Sequence, residues 1–307
     1  AGVLAAAGAV CMLAVFAAVT FLQSQQIAKE RDAANAERTR AEQISSFLVE
    51  LFELSDPSKT RGNQVTAREL LDIGARRISV GLADQPETRA TLLGTIGRVY
   101  SSLGLYSDSI SLPEDSLQSE IEVRGAKHLE VAEAMRALAE ALLERDQFER
   151  AHELLQGALG MQQDLAGSEA LDSAPTLLSL ARLEQRGGNL DSAEELYERT
   201  LDIYRKHGQQ NTSAMASALN EFAGLYSYRP RYSDAARLYR TALDVDRQAL
   251  GRDHPDVAMH THNLAVALHQ QGGLEQAQPL YAESVALLRR IYGDGHPHTL
   301  DALSNFG

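Results

Sequence analysis

The chain has 307 residues, 44% of them hydrophobic but only 6% aromatic and none tryptophan, a composition that suits stacked helices and argues against strands. Its formal charge of -13 leaves no basic surplus of the kind that phosphate backbones require, so nucleic acid is excluded as a partner. The single cysteine, Cys11, rules out an internal disulfide, a cysteine-based metal site and a redox pair.

The first element in chain order is apolar. Residues 1–28 carry no charge, and Val3 to Leu22 supplies about the 20 residues that a helix needs to cross a hydrocarbon core. The prediction is a transmembrane helix over residues 1–24 and hence a single-pass membrane protein, with Cys11 in lipid or, alternatively, palmitoylated. A secretory signal peptide is the rival reading, but no initiating Met or basic lead precedes Ala1-Gly2. A buried soluble helix is a weaker rival, since the run is apolar on every face. The missing Met carries the expectation that the natural protein begins upstream.

Residues 25–54 contain no Pro or Gly and read as a charged helical stalk. Ile27, Ala34, Ala41 and Leu48 recur every seven residues, with Ile44 and Leu51 in a second row. That seam allows a coiled-coil homodimer; a solvated single helix is the alternative. Asp56-Pro57 and residues 59–63 break the helix, and residues 55–84 are expected to form a partial or divergent hairpin.

From residue 85 onward the sequence repeats. Ser109, Ala151, Ala193, Ala235 and Ala277 are spaced by 42 residues. Thirteen residues before each stands a large apolar residue: Ile96, Leu138, Leu180, Phe222 and Leu264. A small one follows it, Gly97, Ala139, Ala181, Ala223 or Ala265, and eight residues after the anchor come Leu117, Leu159, Leu201, Leu243 and Val285. The pattern predicts paired helices, with Gly104, Gly188 and Gly272 at the intervening turn and Asp146 and Pro230 replacing glycine in two copies. Small residues let backbones approach, and large ones stack between neighbouring pairs. The organisation expected over residues 85–307 is about five such units and a truncated sixth.

These positions resemble the tetratricopeptide repeat, and the 42-residue period resembles the longer variety of kinesin light chains. The lead-ins Gly251-Arg252-Asp253-His254-Pro255 and Gly293-Asp294-Gly295-His296-Pro297 belong to that likeness, as does the decayed copy Gly125-Ala126-Lys127-His128-Leu129. The fold expected is therefore all-α, an anchor and stalk followed by an α-α superhelical solenoid. The resemblance implies a protein or peptide ligand in a groove formed by the first helices. Carried over position by position, the groove residues are Arg98, Arg136, Arg182, Arg186, Asn220, His262, His269 and Gln270. Arginine forks there suggest an acidic or carboxylate-bearing peptide; the alternative is that these residues merely face solvent.

Phe47 to Pro57 and Ala67 to Ile78, taken with the span and the repeats, resemble the C-terminal half of bacterial eukaryotic-like serine/threonine protein kinases. That likeness implies a signal-transduction role: a membrane-anchored scaffold or sensor, periplasmic or extracellular, regulating a kinase domain upstream. ATP and Mg would belong to that domain only, since neither a glycine-rich phosphate loop nor a His-Arg-Asp catalytic loop occurs here. The competing readings are a membrane-tethered structural scaffold and a repeat region attached to another catalytic or signalling domain. No catalytic, cofactor or metal residues are expected. His260 and His262 fall on different faces of one helix, and the face-sharing pair His262 and His269 lacks carboxylates at a matching spacing. His254 and His296 are expected to cap helices.

Overall fold

Alanine, leucine and glutamate dominate the stretches between glycine and proline breaks, and such stretches are helical. The computed structural model describes Thr20, residues 23–28, scattered positions from 31 to 49, and then residues 67–82, 85–102 and 110–306. Among the described residues there is no strand. The chain divides into two compact units, Ala1–Leu105 and Tyr106–Gly307.

In the first unit, α1 (Ala67–Gly81) packs against α2 (Pro86–Ser102). Leu71 and Ile78 of α1 and Leu92, Leu93, Ile96 and Tyr100 of α2 are buried, and the Tyr100 hydroxyl donates to Asp72 across the pair.

The second unit opens with α3 (Ser111–Arg124) and continues in hairpins. They are α4 (Leu129–Leu143) with α5 (Phe148–Ala166), α6 (Ala174–Arg186) with α7 (Leu190–Lys206), α8 (Ser213–Tyr228) with α9 (Tyr232–Ala249), and α10 (Pro255–Gln270) with α11 (Leu274–Tyr292). Helix α12 (Pro297–Phe306) follows. The second helices begin at residues 148, 190, 232 and 274, one 42-residue step apart. First helices also touch one another, α4 with α6 and α6 with α8.

The repeated small residues sit in the packed interior between helices. Ala139, Ala181, Ala223 and Ala265 on first helices and Ala151, Ala193, Ala235 and Ala277 on second helices are fully buried. The large residue preceding each first-helix alanine is buried as well, and in the last three hairpins Tyr197, Tyr239 and Tyr281 fill the level above. First helices bury residues on two sides. In α8 these are Met215, Ala216, Ala218, Leu219, Phe222, Ala223, Leu225 and Tyr226, because the helix is packed on its partner and on adjacent hairpins. A second helix such as α7 buries mainly one stripe, Ala193, Tyr197, Leu201 and Tyr204, and presents charge outward.

The turns follow local chemistry. Gly188 and Gly272 adopt positive φ of 82° and 89°, and Asp146 holds the same left-handed slot at 55°, a conformation that short polar side chains tolerate better than most. Pro230 cannot adopt it, and Arg229 ends α8 in extended geometry. That turn is instead fastened to the preceding hairpin. Arg229 pairs with Asp191 at 2.5 Å and Arg231 with Glu194 at 2.9 Å, and the Arg231 guanidinium lies 4.1 Å from the Tyr226 ring centre. The lead-in histidines do cap: the backbone N–H groups of Asp256 and His298 donate to Nδ1 of His254 and His296 at 3.2 and 3.3 Å.

The far end of several hairpins is clasped by ion pairs at matching positions. Lys127 meets Asp164 at 3.0 Å, Lys206 meets Glu169 at 2.5 Å, and Arg290 meets Asp253, each pair 37 residues apart. The polarity of the first is reversed relative to the others, and Asn211 and Gln248 occupy the positions in the third copy. Exposed pairs of this kind are worth about 0–1 kcal/mol each.

One expectation is corrected. Among the described residues no helix is long and apolar enough to cross a membrane, so the assignment of a single-pass membrane protein with a periplasmic or extracellular repeat region is withdrawn. Apart from Thr20, 23 and 24, the apolar run over residues 1–24 lies outside the described residues. In the stalk, Ile27 is exposed, while Ala34, Leu48 and Leu51 of the expected seam lie outside them.

Two measurements test this packing. Ala235→Leu places three extra carbons at a close approach and should destabilise by about 1–3 kcal/mol, read as a lower melting temperature by circular dichroism; Arg240→Leu, on the exposed side of the same helix, should leave it nearly unchanged. Asp246 and His260 form a pair buried to 1% and 5% exposure, Oδ2 to Nδ1 3.1 Å, between α9 and α10. Removing one partner, as His260→Leu or Asp246→Leu, leaves the other buried polar group without its neighbour and should cost about 1–3 kcal/mol, and the double replacement clearly less than the sum. Additive costs would show that the two groups do not interact.

Candidate functional site

First helices carry polar side chains that the apolar core does not use. On α4 and at its C-cap, Arg136, Glu140 and Glu144 fall at successive turns of one face. Helix α6 contributes Ser179, Arg182 and Arg186, and α8 contributes Asn220, Glu221 and Tyr228. Because repeats are stacked in register, residues 42 apart on α4 and α6 face each other. Glu140 meets Arg182, and Glu144 meets Arg186.

The result is a ladder of charge-assisted bonds. Arg136 Nη1 donates to Glu140 Oε1 at 2.8 Å, and the same oxygen accepts from Arg182 Nη2 at 2.9 Å and from Ser179 Oγ at 2.6 Å. Arg182 Nε lies 3.4 Å from Glu221 Oε2. Arg186 Nη1 donates to the Leu143 carbonyl at 2.6 Å and lies 3.5 Å from Glu144. Burial pushes the Glu140 carboxyl up, but Arg136, Arg182 and the Ser179 hydroxyl outweigh it and hold the group below its ordinary value. Glu221 goes the other way: burial raises it, Arg182 pulls against this, and Glu140 adds to the rise.

Between these helices lies a cavity of about 300 Å³, lined by Glu140, Glu144, Arg182, Arg186 and Glu221 and walled by Tyr197 and Tyr228. The Tyr197 hydroxyl donates to Gln185 Oε1 at 2.9 Å. Tyr228 stands at the rim and is 71% exposed.

Of the groove residues expected from sequence, Arg136, Arg182 and Arg186 are thus gathered at α4 and α6, and each is already engaged by a carboxylate of this chain. Asn220 accepts from Asn263 Nδ2 at 2.9 Å, joining α8 to α10. His262 and His269 turn to Tyr281 instead, with ring centres 5.6 and 6.1 Å away in edge-on contact. Burial holds His262 below the usual imidazole value against an opposing pull from Asp301. Gln270 is exposed at the end of α10. The Arg98 side chain lies outside the described residues. Sequence reasoning missed Glu140, Glu144, Glu221 and Tyr228, although opposite charges at equal repeat positions were a usable signal for the first two. Among the described residues no group of three His, Cys, Asp or Glu could hold a metal ion.

A carboxyl raised on folding adds stability that is present below its unfolded pKa and lost as the pH rises through its folded one. Glu221→Gln should therefore melt above the parent chain at neutral pH and lose that margin by about pH 4, near the unfolded carboxyl value. The same difference at both pH values would contradict the burial account.

A tetratricopeptide repeat profile matches residues 88–164, 214–288 and 256–307, and a second such profile matches residues 174–207. No curated protein matches the chain. Among solved structures, BtubC (BKLC) from P. vanneervenii is similar with 18% identity and a TM-score of 0.60, over 76% of this chain and 95% of that one. Kinesin-light-chain TPR-like repeats from Podosopora anserina share 22% identity and a TM-score of 0.53, over 66% and 96%. The Rap conjugation gene regulator of plasmid pLS20, solved with the Phr* peptide, shares 16% identity and a TM-score of 0.59, over 74% and 61%. At these identities the likeness is one of fold, and none of these matches points to a kinase parent. With the repeat profile spanning more than half of the sequence and hairpins recurring every 42 residues, the chain belongs to the tetratricopeptide repeat family.

Proposed function

We propose that the chain is a protein-interaction module in which the first-helix face around α4, α6 and α8 receives a peptide segment of a partner. The observation that carries this reading is the cavity between those helices with an exposed tyrosine at its mouth. An exposed ring beside a polar pocket offers a face on which a partner segment can pack while its polar groups enter the pocket. Tetratricopeptide repeat folds bind protein or peptide partners, as in the complex of the Rap regulator with the Phr* peptide. Asn220 and Asn263, joined on the same face, extend the surface toward α10 and offer amide groups to a peptide backbone. Catalysis is not part of this reading.

A finer reading makes the module a regulator of a serine/threonine kinase encoded upstream. It rests solely on the resemblance of residues 47–57 and 67–78, and kinase motifs in the preceding reading frame are what would sustain it.

The test is panning of the full chain against a display library of linear peptides. Peptides that enrich should lose about tenfold in affinity, or about 1.4 kcal/mol, when Asn220 and Asn263 are both replaced by alanine. They should be insensitive to alanine at Arg199 and Asp202, which lie on α7. Equal loss from both pairs would remove the first-helix face as the binding surface.

A further inference from the structure

We infer that the cavity between α4, α6 and α8 accepts a positively charged side chain, the guanidinium of an arginine or the ammonium of a lysine on the bound peptide, with Glu221 as its acceptor and Tyr228 as the ring beside it. This rests on the peptide-binding reading and reverses the expectation that arginine forks in the groove grip an acidic ligand.

The reversal follows from accounting for every charge in the pocket. Two guanidinium groups line it, and both are committed. Arg182 donates to Glu140 and to Ser179 Oγ, and Arg186 donates to the Leu143 carbonyl and faces Glu144. Three carboxylates line it as well: Glu140, Glu144 and Glu221. Glu140 Oε1 accepts from Arg136, Arg182 and Ser179. Glu221 differs, because its Oε2 is buried and accepts no hydrogen bond; the nearest cationic atom is Arg182 Nε at 3.4 Å. With Arg136 on Glu140 the cluster has three guanidinium groups for three carboxylates; what it lacks is a hydrogen bond at Glu221 Oε2, which Arg182 Nε approaches only to 3.4 Å.

Each class of entering group can be weighed on that basis. A carboxylate would meet Glu221 and Glu144 and would have to take Arg182 or Arg186 from an existing partner, leaving a carboxylate of this chain unpaired in a partly dry site. An apolar side chain would seal off the Glu221 oxygen without giving it a donor. A guanidinium or ammonium supplies the donor that Glu221 Oε2 lacks and can lay its face or its methylene stem on the exposed Tyr228 ring. Burial raises the Glu221 carboxyl and Arg182 only partly opposes it, a shift that a bound cation would reverse.

The test uses the full chain and a display library of random linear peptides, followed by synthetic copies of the enriched sequence. The expected result is a basic residue at one fixed position of the consensus. Replacing it by norleucine, or replacing Glu221 by Gln in the protein, should each weaken binding at least tenfold by fluorescence anisotropy. Tyr228→Ala should weaken it severalfold; since that side chain is mostly in solvent, this variant reads the site independently of any stability change at Glu221. Arginine and lysine versions of the peptide report which cation is preferred. A consensus of acidic or apolar residues that is still sensitive to Asn220 and Asn263 overturns the cation site and leaves the interaction surface standing. No enrichment of any peptide overturns both.

Discussion

The architecture rests on close contact between alanines. At each hairpin an alanine from the first helix and an alanine from the second are fully buried, and the large residue beside the former fills the space between neighbours. Small side chains permit the approach, and the approach brings the large ones into contact; neither half of the pattern would be stable without the other. Since a hairpin cannot cover its own apolar surface, the register of one unit fixes the register of the next. The 42-residue step recurring at the start of every second helix from α5 to α11 is the outward sign of that constraint.

Register then decides the electrostatics. Once equal positions of successive units face each other, Glu140 and Arg182, 42 residues apart in sequence, share a hydrogen bond, and Glu144 is brought to Arg186. A chain whose total charge is strongly negative thereby assembles a nearly balanced polar seam along its first helices. Balance is incomplete at Glu221, where the register supplies only the flank of Arg182. Function in such a molecule is expected where the packing pattern leaves a group without an internal partner, because the core itself has no use for it.

The turns show how much local variation the spine tolerates. Glycine, aspartate and proline all occupy the same slot, and only proline changes the backbone path. The change is absorbed by arginines on either side of Pro230, which reach back to Asp191 and Glu194 on the preceding hairpin. The clasps at the other end vary as well: three copies carry opposite charges, with the sign reversed in one of them, and the remaining copy has Asn211 and Gln248.

The sequence by itself determined the helical class, the interval and the residues at the closest approaches, because these depend on side-chain size recurring along the chain and size can be read without coordinates. Capping by His254 and His296 was legible for the same reason, being a contact between near neighbours. The state of each groove residue was decided only by the tertiary structure. Arg136, Arg182 and Arg186 read as available forks while their carboxylate partners, a turn or a whole repeat away, went unrecognised, and the contact of His262 and His269 with the Tyr281 ring was not legible. Whether a charge is free or paired, and whether a carboxylate keeps its ordinary pKa, is settled by what lies across the next helix; that is a distance in space, which spacing along a chain does not contain.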